Sequence, residues 1–161
     1  HVKLWSRCAE GDVPCLIIED GIRTWPRLAQ ITAHVVATIE RVVPDPEERS
    51  VLLFLGGEVE LSDWTPQWLP TDMAHPPSKG RSGKEPVVLR EASAVSGSHC
   101  YVVWPLAARR MLANLPVHKP IDEFISIQLK AGRVRAMVVQ PIALAVKVME
   151  RNITVKVMER N

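Results

Sequence analysis

An α/β fold, with a mixed sheet held between helices in three layers, is the class this sequence predicts, on three observations. Its most apolar runs are short and nearly continuous, as in Cys15-Leu16-Ile17-Ile18 and Val51-Leu52-Leu53-Phe54-Leu55. Such strands must be covered on both faces, as at the centre of an α/β sheet. Segments whose apolar residues recur every 3.6 positions alternate with these runs. Glycine and proline fall at the joints between the two patterns, so the alternation is one of whole elements.

The chain has 161 residues, enough to bury a sizeable core in one domain. A hydrophobic fraction of 47% and a mean hydropathy of +0.02 place it with globular rather than disordered chains. Its 20 basic and 18 acidic residues leave a net charge of +2, too weak a field to argue for nucleic acid or an anionic membrane. The longest apolar stretch, Ala136 to Val146, is broken by Gln140 and Pro141 and is shorter than a membrane span. Cys8, Cys15 and Cys100 have no paired metal-ligand spacing, so a zinc site is not expected. They read as small buried hydrophobes in a reduced compartment. The sequence starts at His1 without an initiator Met or a targeting segment. A fragment or processed form is therefore expected, and the compartment, cytoplasm or secretory-pathway lumen, stays open.

In order, residues 1–10 put Leu4, Trp5 and Cys8 on one helical face, with Gly11 as the stop. The first apolar run then ends abruptly in Glu19-Asp20-Gly21. Thr24 can cap a second helix, with Pro26 in its first turn. Trp25, Leu28, Ala29, Thr32, Val35, Val36, Ile39 and Val43 form its apolar face, and Pro44-Asp45-Pro46 ends it. The second apolar run closes in Gly56-Gly57. Residues 58–85 have little periodicity and are rich in Pro, Gly, Ser and Asp. They predict a long surface loop of the kind that shapes sites in α/β domains.

Pro86 to Leu89 and His99 to Trp104 read as strands, separated by the small and polar Ala94-Val95-Ser96-Gly97-Ser98. Pro105 opens a helix with Ala108, Met111, Leu112 and Leu115 inside. Pro120 opens another, with Ile121, Phe124, Ile125 and Leu129 inside and Gly132 as its stop; Val134 to Val139 is a last strand. In the tail, Val146-Lys147-Val148-Met149-Glu150-Arg151-Asn152 recurs as residues 155–161. Two copies are too few for a solenoid. Their alternation permits short strands or a hairpin turning near Arg151-Asn152, and a duplication, a chimeric end or a misread frame accounts for the repeat as readily. Asn152-Ile153-Thr154 also fits a glycosylation sequon, a pattern too common to argue from alone.

Two carboxylates, Glu19 and Asp20, stand at the carboxyl end of a buried strand, the edge at which open α/β sheets bind ligands. Oxygen ligands there can hold a hard divalent cation, which binds a diphosphate and offsets the charge on a departing nucleoside diphosphate. The competing account is a strand end entering a solvated turn. His99 and Tyr101 flank Cys100 and so share a strand face, either the wall of a sugar pocket or a half-buried sheet face. Ser98 adjoins His99, but no acid is placed to complete a hydrolase triad, and Gly97-Ser98-His99 is not a nucleophile elbow. A hydrolase is not expected. Gly56-Gly57-Glu58 suits a plain turn. Trp64 and Trp68 suit either a sugar-stacking platform or loop anchors. Arg109-Arg110 is expected on an outer, solvated helix face, and His34, His75 and His118 show no ligand spacing.

The segment His1-Val2-Lys3-Leu4-Trp5, followed by Pro14-Cys15-Leu16-Ile17-Ile18-Glu19-Asp20, resembles glycosyltransferase family 25. That family includes lipooligosaccharide and collagen galactosyltransferases. In its pattern a Ser-His pair opens a helix carrying a Trp, and a hydrophobic strand ends in Glu-Asp-Asp. Ser96-Gly97-Ser98-His99-Cys100-Tyr101-Val102-Val103 is similar to the family's Ser-Gly-Thr-His/Ala-Tyr strand. The Ala107-Ala108 helix and Pro116-Val117-His118-Lys119-Pro120-Ile121-Asp122 follow in the family's order. The likeness spans residues 1–140, leaving 141–161 as an atypical tail. It implies a GT-A-like sheet that lacks the family's first strand, and transfer of a hexose, galactose by resemblance, from a UDP-sugar to a glycan or hydroxyl acceptor.

Matched residue by residue, the resemblance implies that Glu19 and Asp20 are the first two acids of the Glu-Asp-Asp motif. They would bind a divalent cation, Mn²⁺, and the nucleotide-sugar. Gly21 stands where the last acid belongs, which weakens the metal site. Asp122 matches the acid of the family's Pro-Val-Asp segment. With Asp20 it is the catalytic candidate, as general base or acceptor binder in an inverting transfer, with Glu123 as its neighbouring fallback. A first-turn acid is also an ordinary cap favoured by the helix dipole. Gly97, Ser98 and His99 would line the donor site. The implied partners are a nucleotide-sugar donor and a glycan or protein acceptor, with no nucleic acid. Gly21 favours a rival from another class, a catalytically inactive sugar- or partner-binding module on the same fold.

Overall fold

The structure is a computed structural model and describes residues 1–19, 28–56, 58–61, 67–68, 88–140 and 153–156. Its elements follow in the order α1 (Val2–Glu10), β1 (Cys15–Glu19), α2 (Leu28–Val42), β2 (Val51–Phe54), β3 (Glu58–Leu61), β4 (Gln67–Trp68) and β5 (Val88–Ser96). Then come β6 (Cys100–Val103), α3 (Pro105–Leu112), α4 (Ile121–Lys130), β7 (Arg135–Gln140) and β8 (Ile153–Lys156). The strands join one sheet in the order β3-β5-β7-β2-β6-β1-β8, with β4 against β5. β2 and β7 are parallel, whereas β6 runs antiparallel to both β1 and β2 between them. The sheet is mixed, and helices cover it on both faces.

Side chains of a strand alternate between faces, and here the alternation sorts the core into two halves. Cys15, Ile17, Leu52, Phe54, Tyr101, Val103, Ala136 and Val138 pack with Trp5 and Cys8 of α1, Ala107, Ala108 and Met111 of α3, and Phe124 and Ile125 of α4. Their neighbours Leu16, Leu53, Cys100, Val102, Met137 and Val139 pack with Leu28, Ile31, Val35 and Ile39 of α2. Continuous apolar runs are therefore required in β1, β2, β6 and β7. Each must supply both faces.

Several boundaries differ from the sequence expectation. Within the stretch expected as loop, β3 and β4 add to β5. β5 itself extends through Ser96 and absorbs most of the small, polar linker. Its buried residues Leu89, Ala92 and Val95 are three apart rather than two, and the ladder with β3 shifts register between Glu60 and Leu61. Such an irregularity breaks the two-residue period by which a strand is recognised.

Along α2, Ala29 is exposed while Ile31 and Thr38 are buried. Thr32 and Thr38 satisfy their hydroxyls on the carbonyls of Leu28 and His34, which lets them stand in the apolar face. Thr24, Trp25 and Pro26 lie outside the described residues. α3 stops at Leu112, and Leu115 is exposed rather than inside. It precedes Pro116, whose ring disfavours helical backbone at its predecessor.

α4 buries Phe124, Ile125 and Gln128, with Ile121 and Leu129 half-buried. It ends as expected at Gly132, whose φ of +67 allows the Gly132 N–H to reach the Leu129 carbonyl and the Arg133 N–H that of Gln128. β8 lies antiparallel along β1, with Glu19 opposite Ile153, so part of the tail caps an edge of the sheet. The first copy of the tail repeat and the expected turn at Arg151-Asn152 lie outside the described residues. No helix among the described residues is long and apolar enough to cross a membrane.

Candidate functional site

Because β6 runs antiparallel to β1, the carboxyl end of one strand meets the start of the other. The Glu19 N–H donates to the His99 carbonyl at 2.8 Å, and the ladder begins beside it with Ile18 opposite Cys100. Glu19 and His99 both project on the face that carries Ile17 and Tyr101, the side covered by α1. His1, at the head of α1, completes the group.

Glu19 holds two imidazoles, one on each oxygen. His99 Nδ1 lies 2.6 Å from Oε2 and His1 Nε2 lies 3.2 Å from Oε1. An ionised carboxylate can only accept, so both of these ring nitrogens carry hydrogen. The other nitrogen of a neutral His1 is then an acceptor, and Tyr101 Oη stands 2.9 Å from it. Trp5 Nε1 donates to the same Tyr101 oxygen at 2.9 Å. One direction of donation satisfies every member: Trp5 to Tyr101, Tyr101 to His1, His1 to Glu19, and His99 to Glu19.

Burial raises the Tyr101 phenol, and the Glu19 charge adds to this against the Trp5 bond, so the hydroxyl keeps its proton. The His1 ring lies parallel to that of Tyr101, at 8° between planes. Among the described residues, His99 Nε2 has no partner, on a side chain 31% exposed.

Asp122 enters from α4. Its Oδ2 accepts the Gly97 N–H at 3.1 Å and its Oδ1 accepts the Glu123 N–H at 2.9 Å. Gly97 has a φ of +83, a conformation that favours glycine, and this turns the β5–β6 connection so that its N–H meets the carboxylate. The Gly97 bond is the largest influence holding the Asp122 carboxyl below its ordinary value, and the Glu123 N–H acts in the same sense. Ser126 pins the same connection, accepting from the Val95 N–H and donating to the Val95 carbonyl.

Of the residues singled out from sequence, the fold thus gathers Glu19, Gly97, His99 and Asp122. Ser98, between two of them, is buried at 3% exposure. Asp20 and Gly21 lie outside the described residues, as do Trp64 and His75. Trp68 falls in β4. His34 and His118 are exposed. Arg109 and Arg110 are not merely solvated: they donate to the Ala9 and Arg133 carbonyls, tying α3 to α1 and to the turn before β7.

Tyr101 shares the His99 face as its spacing predicts, and through it His1 and Trp5 enter the site, which sequence spacing did not assign. The one local signal was the four-residue interval of His1 and Trp5, which sets both on one side of a helix. Sequence spacing placed no acid to complete a hydrolase triad with Ser98 and His99; Glu19, matched by the resemblance to the same donor site as His99, is brought to it by the antiparallel ladder from 80 positions away.

A divalent cation was expected on Glu19 and Asp20. Each Glu19 oxygen accepts from one imidazole N–H, and Asp20 lies outside the described residues. Among the described residues, no group of three His, Cys, Asp or Glu side chains is placed to hold a metal ion. No protein-family model, curated protein or solved structure matches the chain.

Proposed function

We propose that the chain is a glycosyltransferase domain of GT-A-like architecture, moving a hexose from a nucleotide-sugar to a hydroxyl acceptor. One observation carries the reading. Positions 19, 97, 99 and 122, matched to family 25 on three separate segments of sequence, meet at one edge of the sheet. The mixed sheet covered by helices, with the acid at a strand's carboxyl end, supports the same reading.

In the proposed reaction the acceptor hydroxyl attacks the anomeric carbon, the bond to the diphosphate breaks, and the diphosphate leaves with the electron pair. His99 Nε2 takes the hydroxyl proton, because Glu19 fixes the opposite nitrogen as N–H and aims the ring. Asp122 serves better as a binder than as a base. Its carboxyl is held low and committed to Gly97, which makes it a poor proton acceptor but a stable anchor for the connection beside His99. Galactose, a UDP donor and Mn²⁺ remain what the resemblance implies, and no step here is routed through the metal.

The test is a transfer and donor-hydrolysis assay over a panel of UDP-hexoses, with and without Mn²⁺, on the parent and His99→Gln. Turnover by the parent that falls by roughly 10²–10⁴-fold in His99→Gln supports the proposal. Turnover unchanged by that substitution removes His99 from the chemistry. Donor binding without turnover identifies the inactive sugar-binding module that Gly21 favours.

A further inference from the structure

α1 and β1 each place a cysteine on the same side of the sheet. Cys8 lies in the last turn of α1, Cys15 opens β1, and residues 11–14 turn the chain between them. Both are free thiols and both belong to the core half that packs against α1, α3 and α4. Strand β6 fixes their proximity. Cys15 is the ladder partner of Val103, and Cys8 Sγ lies 3.2 Å from the Val103 carbonyl oxygen. The influence of each thiol on the other holds Cys15 below its ordinary value and raises Cys8. Cys100 is set apart on the opposite face, against α2, where burial pushes its thiol up to about 12.

We propose that Cys8 and Cys15 are a redox pair that closes to a reversible disulfide when a peroxide reaches them, stapling α1 to β1. Cys15, at 9% exposure against 0% for Cys8, is the first to react. Its thiolate attacks a peroxide oxygen, the O–O bond breaks, and hydroxide leaves as Cys15 becomes a sulfenic acid. The Cys8 sulfur then displaces the hydroxyl from that acid, the S–S bond forms, and the Cys8 proton departs in the water released. Two thiols and one hydrogen peroxide give one disulfide and two waters.

Dithiol exchange reverses the bond. The staple bears on the candidate site, because α1 carries the donors His1 and Trp5 while β1 carries Glu19. It does not depend on the glycosyltransferase reading.

The test treats the folded full chain with hydrogen peroxide, alkylates remaining thiols after denaturation, and reads intact mass and a peptide map. The expected result is loss of two hydrogen atoms, a cross-linked Cys8–Cys15 peptide, Cys100 alone still alkylated, and full reversal by dithiothreitol. Cys100→Ser should lose both remaining thiols in the same way, and Cys8→Ser should stop at a sulfenic acid on Cys15 that dimedone traps. The proposal is overturned if Cys8 and Cys15 both stay alkylatable while methionines oxidise. A disulfide that includes Cys100 overturns it as well.

Discussion

Glu19 Oε2 and His99 Nδ1 stand 2.6 Å apart, a short charge-assisted bond between the end of β1 and the residue just before β6. The same carboxylate holds His1 on its other oxygen. This is one acceptor serving two donors, and its replacement has a defined consequence.

Glu19→Gln keeps the shape but offers one acceptor oxygen where there were two. Its amide NH₂ must face one of the imidazoles, which accepts that hydrogen only by moving its own proton to its other nitrogen, costing His99 its Nε2 acceptor or His1 its acceptor for Tyr101. Bonds to charged groups contribute about 1.5–3 kcal/mol, and unfolding in urea should show a loss of about 2 kcal/mol. An unchanged midpoint would mean that the carboxylate does not hold the histidines.

Tyr101→Phe removes an oxygen that accepts from Trp5 and donates to His1. Two polar atoms in the core are then left without a partner, at a cost of about 1–3 kcal/mol. Because Trp5 shares that bond, combining Trp5→Phe with Tyr101→Phe should cost less than the sum of the two, by roughly 0.5 kcal/mol or more. Additivity within error would separate them.

Asp122→Asn tests the charge at the Gly97 turn. The Asp122 carboxyl is held below its ordinary 3.8 in the folded chain, so its stabilisation is complete above the unfolded value and is lost as pH falls through the folded one. The parent should exceed Asp122→Asn in stability at neutral pH, and the gap should close below about pH 4. Denaturation midpoints from pH 7 down to 2.5 read this directly. A gap that widens on acidification would reverse the sign and refute the assignment.

Gly132→Ala isolates a backbone cost. An added Cβ meets nothing within 4 Å, so the penalty is that of the positive φ alone. Left-handed backbone costs an L-residue about 1–2 kcal/mol, and thermal unfolding should show a drop of that size. Gly132→Asn, a residue more tolerant of this conformation, should lose less.

The unbroken apolar runs of β1, β2, β6 and β7 and the helical faces of α1 and α4 were legible because burial is written into composition and period. β3, β4 and the length of β5 were not. Their buried positions are spaced by a register shift that only pairing creates. The pairing of β8 with β1 likewise joins segments whose sequences carry no mutual signal.

By itself the sequence determined that an acid would stand at the mouth of a covered strand and that Asp122 would open a helix. Residue type and local period suffice for both. The tertiary structure alone decided what those acids do. Whether Glu19 faces solvent, a cation or two histidines depends on which strand lies beside β1, in which direction it runs, and where the head of α1 comes to rest. Those are contacts across 18 and 80 positions, and no local pattern encodes them.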